Sequence, residues 1–239
     1  VTVTTVIEVP HTVLEHLCDR PPADRTQDQA KMLARELWPD VETSADYLAL
    51  ELDDEAARAF RWQAWLAVAG LWQLEDPADI EVVATEQKVV TELAGVPFLG
   101  IIDRVERHNG RLVVSDYKSG SLPGARFRDD KMQQVLLYAG AVEATEGEQP
   151  ERARLLYLGQ RILEVTVTSA KIEEAATALA TTWTGIRSAC ESDDFDAKPG
   201  VLCGWCPFVA VCPEGQAELA RREAAGTLPA HAPARSLVA

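Results

Sequence analysis

Asp103 lies in the apolar stretch Gly100-Ile-Ile-Asp-Arg104, and Asp116 and Lys118 close the stretch Val113-Val-Ser-Asp-Tyr-Lys118. Two residues apart on a strand, Asp116 and Lys118 project from the same face. His108-Asn109-Gly110 between the stretches is a hairpin signal, and an antiparallel hairpin brings Asp103 beside Asp116. Facing carboxylates repel unless a divalent cation sits between them, and hard oxygen donors with open positions suit Mg²⁺ or Mn²⁺. A lysine beside such an ion orients a water nucleophile or stabilises charge developing on a phosphate. The competing reading is a surface ion pair of either aspartate with Lys118 or Arg104, which is common and weak. The apolar run before each carboxylate weighs against it.

A sheet has to hold these groups. Residues 80–92, 96–107 and 111–118 read as three consecutive strands, an antiparallel meander with turns at Ala94-Gly95 and Asn109-Gly110. Helices are expected over 11–19, 27–38 and 54–74, the last carrying Phe60, Trp62, Trp65, Leu66 and Leu71 and ended by Asp76-Pro77. Downstream come a helix over 129–145 with Met132, Val135, Leu136 and Ala139 inward, a strand pair over 153–159 and 161–168, and a helix over 170–190. The expected fold class is α/β, a mixed sheet flanked by helices. Four segments are expected: a helical part (1–78), a core (79–190), a Cys-rich segment (191–225) packed on the core, and a disordered tail (226–239) rich in Ala and Pro.

Composition narrows the classes. The chain has 239 residues, 47% of them hydrophobic and 26% charged, which is ordinary globular usage and excludes wholesale disorder. Its formal charge of −15 argues against a nonspecific polyanion binder, yet leaves room for a local basic groove. No apolar run reaches the roughly 18 residues of a membrane span. The Thr-rich start lacks the basic segment of a secretory signal, and five cysteines are too few for a secreted scaffold, so a cytoplasmic address is expected.

Five ordered pieces carry a family resemblance: His11-Thr-Val-Leu-Glu15, Glu86, Gly100-Ile-Ile-Asp103-Arg104, Asp116-Tyr-Lys118-Ser-Gly120 and Gln134-Val-Leu-Leu-Tyr138, followed by Cys203-Gly-Trp-Cys206 and Cys212-Pro213. In that order the chain resembles the RecB-family nucleases of the PD-(D/E)XK superfamily, the group that includes the CRISPR-associated RecB-like exonucleases and the AddB nuclease domain. The resemblance implies a restriction-endonuclease-like core in which Asp103 and Asp116 bind the metal and Lys118 is catalytic. It makes His11 an added metal ligand, completes the shell with the Tyr117 carbonyl, and turns Gln134 and Tyr138, one helical turn apart, toward the site and DNA. Glu86 and Glu15 are support candidates. Arg126, Arg128 and Lys131 are candidates for phosphate contact, with a solvated helix start as the equal alternative.

The same resemblance assigns Cys203, Cys206 and Cys212 to a [4Fe–4S] cluster with a fourth, N-terminal cysteine. No cysteine precedes His11 here, so Cys18 takes that place in the expectation, with Cys190 as the other choice. Three thiolates at this spacing also suit Zn²⁺. The expected activity is a metal-dependent DNA exonuclease acting on single-stranded ends in repair or recombination, working with a helicase or within a repair or CRISPR complex. The alternatives are a catalytically inactive module that binds DNA or a helicase, and a zinc-binding interaction protein.

Overall fold

The computed structural model describes residues 4–125 and 128–237, with side chains from Val9 onward. The chain divides into two compact units, Val1–Thr182 and Trp183–Ala239. The expected helical part and most of the expected core therefore share the first unit, because one sheet supplies the apolar surface that both sets of helices cover.

That sheet has five strands in the order β1-β2-β3-β4-β5. They are β1 (Glu81–Leu93), β2 (Val96–His108), β3 (Arg111–Lys118), β4 (Arg152–Tyr157) and β5 (Arg161–Thr166). The first three form the expected meander. Both of its turns have two residues with positive φ, Ala94 (48°) with Gly95 (78°) and Asn109 (52°) with Gly110 (77°), the geometry that matches strand twist. β3 pairs β4 in parallel, which requires a crossover, and α5 (Arg128–Glu146) supplies it. β4 and β5 close the sheet as an antiparallel pair.

One face of the sheet packs Val105, Val114 and Leu155 against Met132, Val135 and Ala139 of α5. On the other face, Tyr117, Leu156 and Leu158 join Val13, Leu14 and Leu17 of α1 (Thr4–Cys18), Leu33 and Trp38 of α2 (Gln27–Thr43), and Ala64 and Val68 of α4 (Asp54–Ala69). The short α3 (Ala45–Leu48) links α2 to α4. Thr26 caps α2 and Asp53 caps α4, each side chain accepting amides of the first turn. Where α4 ends, the Gly159 amide donates to the Gly70 carbonyl at 3.1 Å, so helix and strand turn meet backbone to backbone.

α6 (Ser169–Ser192) runs into the second unit, which also holds α7 (Pro213–Ala224) and short 3₁₀ turns around the cysteines. Its core is Val209, Leu219, Leu228, Ala232 and Ala234. Residues of the expected tail contribute to it: Leu228, Ala232 and Ala234 belong to this small core, and Arg235 reaches Glu223 at 2.6 Å. No helix among the described residues is long and apolar enough to cross a membrane.

Candidate active site

The ladder between β2 and β3 runs from His108↔Arg111 to Arg104↔Ser115 and then stops. Continuing that register places Asp103 opposite Asp116. β3 keeps pairing with β4 through Lys118↔Tyr157, so the Tyr117 backbone faces the side that β2 has left. Site side chains fill the opening. The Tyr117 amide donates to Asp103 Oδ2 at 2.6 Å, and His11 Nε2 lies 3.0 Å from the Tyr117 carbonyl oxygen and 3.4 Å from Asp103 Oδ2. α1 presents His11 there while Val13, Leu14 and Leu17 anchor the helix beneath.

On the α5 side of the sheet, Lys118 Nζ is 2.7 Å from Asp116 Oδ2 and donates to Gln134 Oε1 at 3.1 Å. Gln134 Nε2 in turn donates to the Tyr138 hydroxyl at 3.0 Å. Because that hydroxyl accepts from Gln134, its own proton is available to a further acceptor. A Cβ on Gly100 would stand 2.9 Å from Tyr138 Cε1, so the absence of a side chain there is what seats the tyrosine ring on β2.

Burial dominates the electrostatics, and like charge adds to it at Asp103. Burial, then the Asp116 charge, pushes Asp103 up to about 6, against the lowering effects of His11 and the Tyr117 amide. Asp116 is also raised, by burial, with the Lys118 charge opposing. Glu86 joins them: the register leaves it between Thr85↔Arg104 and Gln87↔Ile102, opposite Asp103, in a left-handed conformation at φ 44°. Burial, and then the Glu15 charge, raises its carboxyl. His11, Glu15, Glu86, Asp103, Asp116, Lys118, Gln134 and Tyr138 thus belong to one electrostatic neighbourhood.

The donor set suits a hard divalent cation: carboxylates, a carbonyl and an imidazole, with Asp116 Oδ2 buried and lacking a directional hydrogen bond. Three side chains do not already form a cage. Among the described residues no group of three His, Cys, Asp or Glu is arranged to hold an ion, and here Lys118 holds Asp116. The residues that would hold Mg²⁺ or Mn²⁺ are Asp103, Asp116, His11 and the Tyr117 carbonyl.

Other expectations fare differently. Arg104 is no surface partner of the aspartates. It is fully buried on the opposite face, donates to the Tyr117 hydroxyl at 2.8 Å, and pairs with Glu75 and Glu106. Arg154 completes this network, 2.7 Å from Glu75 and 2.8 Å from Glu106. Sequence reasoning misses Glu75, Glu106 and Arg154. The readable signal is charge inside apolar strands, Arg-Val-Glu at 104–106 and Arg154 within Ala-Arg-Leu-Leu-Tyr. Arg128 Nε donates to the Pro123 carbonyl at 3.3 Å, Lys131 is exposed on α5, and Arg126 lies outside the described residues.

The [4Fe–4S] expectation finds no support. Cys18 is buried in the first unit with its thiol 3.8 Å from the Tyr117 hydroxyl, a core position. Within the second unit, Cys203 and Cys212 accept amides of Gly200 and Gly215, each at 3.3 Å, but with Cys206 they form no metal-holding group among the described residues.

Comparison with known proteins agrees with the core. The family model of the PD-(D/E)XK nuclease superfamily matches residues 8–213, a span that runs from just before His11 to just past Cys212. No curated protein matches the chain significantly.

Proposed function

The chain belongs to the PD-(D/E)XK nuclease superfamily, and from that premise we propose that it is a metal-dependent exonuclease hydrolysing phosphodiester bonds at single-stranded DNA ends. The observation that carries this reading is the break in the β2–β3 ladder, which sets Asp103, the Tyr117 carbonyl and His11 beside the Asp116–Lys118 pair.

When bound, Mg²⁺ or Mn²⁺ would polarise the phosphoryl oxygens and make a coordinated water acidic. Asp103, Asp116, His11 and the Tyr117 carbonyl would hold it, offsetting the burial that raises both aspartates and the Asp116 charge that adds to the rise at Asp103. An imidazole nitrogen ligates a metal only without its proton, so coordination requires the His11 tautomer that leaves Nε2 unprotonated. Lys118 offers an ammonium, steadied by Gln134, to charge developing on the phosphate. Tyr138 donates its hydroxyl proton to a strand oxygen, and Glu86 and Glu15 add negative field that favours the cation. A strand-separating partner in repair or recombination would supply the single-stranded ends.

The test is degradation of a 5′-labelled single-stranded oligonucleotide with Mn²⁺ or Mg²⁺, against EDTA and Asp116→Ala controls. Nucleotide-by-nucleotide shortening that both controls abolish supports the reading. Retained activity in Asp116→Ala refutes the site. Binding of the strand by metal-loaded protein with no product at all means a non-catalytic nuclease-fold module instead.

A further inference from the structure

Between α2 and α4 lies an open cavity of about 350 Å³ with Val9 of α1 at its wall. Its lining is unlike the rest of this acidic chain. α2 and α4 together carry four basic residues, Lys31, Arg35, Arg58 and Arg61, and all four line this cavity. The six acidic residues of the same helices do not. Spacing explains the sorting: Lys31, Arg35 and Trp38 are at i, i+4 and i+7 on α2, and Arg58, Trp62 and Trp65 repeat that interval on α4. Three of the chain's six tryptophans stand there among four cations.

Two of the cations are already engaged. Lys31 lies 5.6 Å from the Trp65 ring centroid and pairs with Asp28 at 3.4 Å, and Arg61 lies 4.8 Å from that of Trp38 with Glu42 at 4.0 Å. Arg35 and Arg58 are exposed and form no ion pair among the described residues, and Trp62 is 58% exposed. An unpaired guanidinium on each wall, with an open indole on the α4 wall, is the composition that holds an unpaired polynucleotide: phosphates on the cations, a base on the ring. A duplex keeps its bases stacked on one another and cannot use Trp62. An acidic peptide would use the arginines and leave the indole idle.

We propose that this groove is a binding site for single-stranded DNA, separate from the residues that cut, with Arg35 and Arg58 on phosphates and Trp62 stacked on a base. It rests on the reading of the chain as acting on a DNA strand and extends it with a place for that strand. Val9 borders the groove and His11 faces the catalytic residues two positions further along α1, so the groove lies across one helix from the site.

Binding is measured with 5′-fluorescein dT12 in EDTA, where nothing is cleaved, by anisotropy as a function of salt. Trp62→Ala weakens binding by roughly 5- to 100-fold. Arg35→Ala with Arg58→Ala flattens the slope of log K against log salt by about 1.4, because each phosphate that a cation neutralises on a single strand adds about 0.7 to that slope. All three side chains are exposed, and circular dichroism checks that each variant is folded. Unchanged affinity and slope in both variants overturn the proposal. So does tight binding of poly-L-glutamate that dT12 fails to displace, which assigns the groove to an acidic protein segment. Absent cleavage by the wild type, with these binding losses intact, refutes the nuclease reading alone. Normal cleavage with unaltered binding in the variants refutes the groove alone.

Discussion

Gly100→Ala tests whether the Tyr138 ring must rest against Gly100 for the site to work. The added methyl would meet Tyr138 Cε1 at 2.9 Å and Cδ1 at 3.1 Å, with Phe98 Cε1 also at 3.1 Å. Carbon atoms rest at about 3.5–4.0 Å, so the tyrosine ring has to retreat by about 0.6–1.1 Å. The hydroxyl at its far end is 3.0 Å from Gln134 Nε2, and a retreat of that size takes it beyond hydrogen-bonding range. Gln134 then loses the anchor that aims its carbonyl at Lys118. Displacement on this scale at a reacting centre costs up to about 100-fold in rate. Stability changes less: overpacking costs about 1–3 kcal/mol, and replacing glycine in a strand returns about 0.5–1 kcal/mol. Steady-state cleavage of a labelled single strand should show kcat falling about 10- to 100-fold with KM little changed, while thermal melting shows a folded protein. Tyr138→Phe supplies the control, because Gly100→Ala on that background should cost little more. Wild-type kcat in Gly100→Ala, or full additivity of the two changes, refutes the reasoning.

Asp103→Asn removes one of two buried like charges, so it should abolish cleavage yet raise the melting temperature of the metal-free protein at pH 8. The rise of Asp103 from 3.8 to about 6 caps the gain at about 3 kcal/mol, and a shift of about 2–8 °C is expected; a lower melting temperature contradicts it. Glu106 works the opposite way. Burial pushes its carboxyl up, but the Arg104 charge, the His108 hydrogen bond and the Arg154 charge override this and hold it down at about 2. A depressed carboxyl stabilises the fold fully above its ordinary value of 4.5 and loses that contribution as pH falls toward 2, so about 3 kcal/mol should vanish across this window. Urea titrations at stepped pH measure it, and Glu106→Gln should flatten that acid limb while destabilising the protein at pH 7. Gly70→Ala should cost more than about 2 kcal/mol in chemical denaturation, because its methyl would overlap the Gly159 backbone, which has no side chain to move aside.

Local rules account for what was legible in the chain. Ala94-Gly95 and Asn109-Gly110 name their turns because few residues accept positive φ, and those turns set the meander. Period two put Asp116 and Lys118 on one face, and one helical turn put Gln134 and Tyr138 on another; both pairs meet in one hydrogen-bonded chain. The order of these pieces also carried the superfamily resemblance, which the match over residues 8–213 supports. Boundaries were softer, as with α2, which runs on through Pro39 to Thr43.

Tertiary structure decided everything that depends on which distant residues become neighbours. Whether Arg104 is a surface charge or a buried one is invisible in Gly-Ile-Ile-Asp-Arg. Glu75 and Arg154, 29 and 50 positions away, make its burial affordable. The positive φ of Glu86 falls where β1 passes Asp103, a meeting that the sequence of β1 alone does not contain. The basic stripe on each of two helices reads as ordinary solvated charge until α2 and α4 pack side by side and the stripes face one groove. Periodicity is a property of a single element and survives in one dimension, whereas pairing of charge, burial and enclosure belongs to surfaces that only the folded chain brings together.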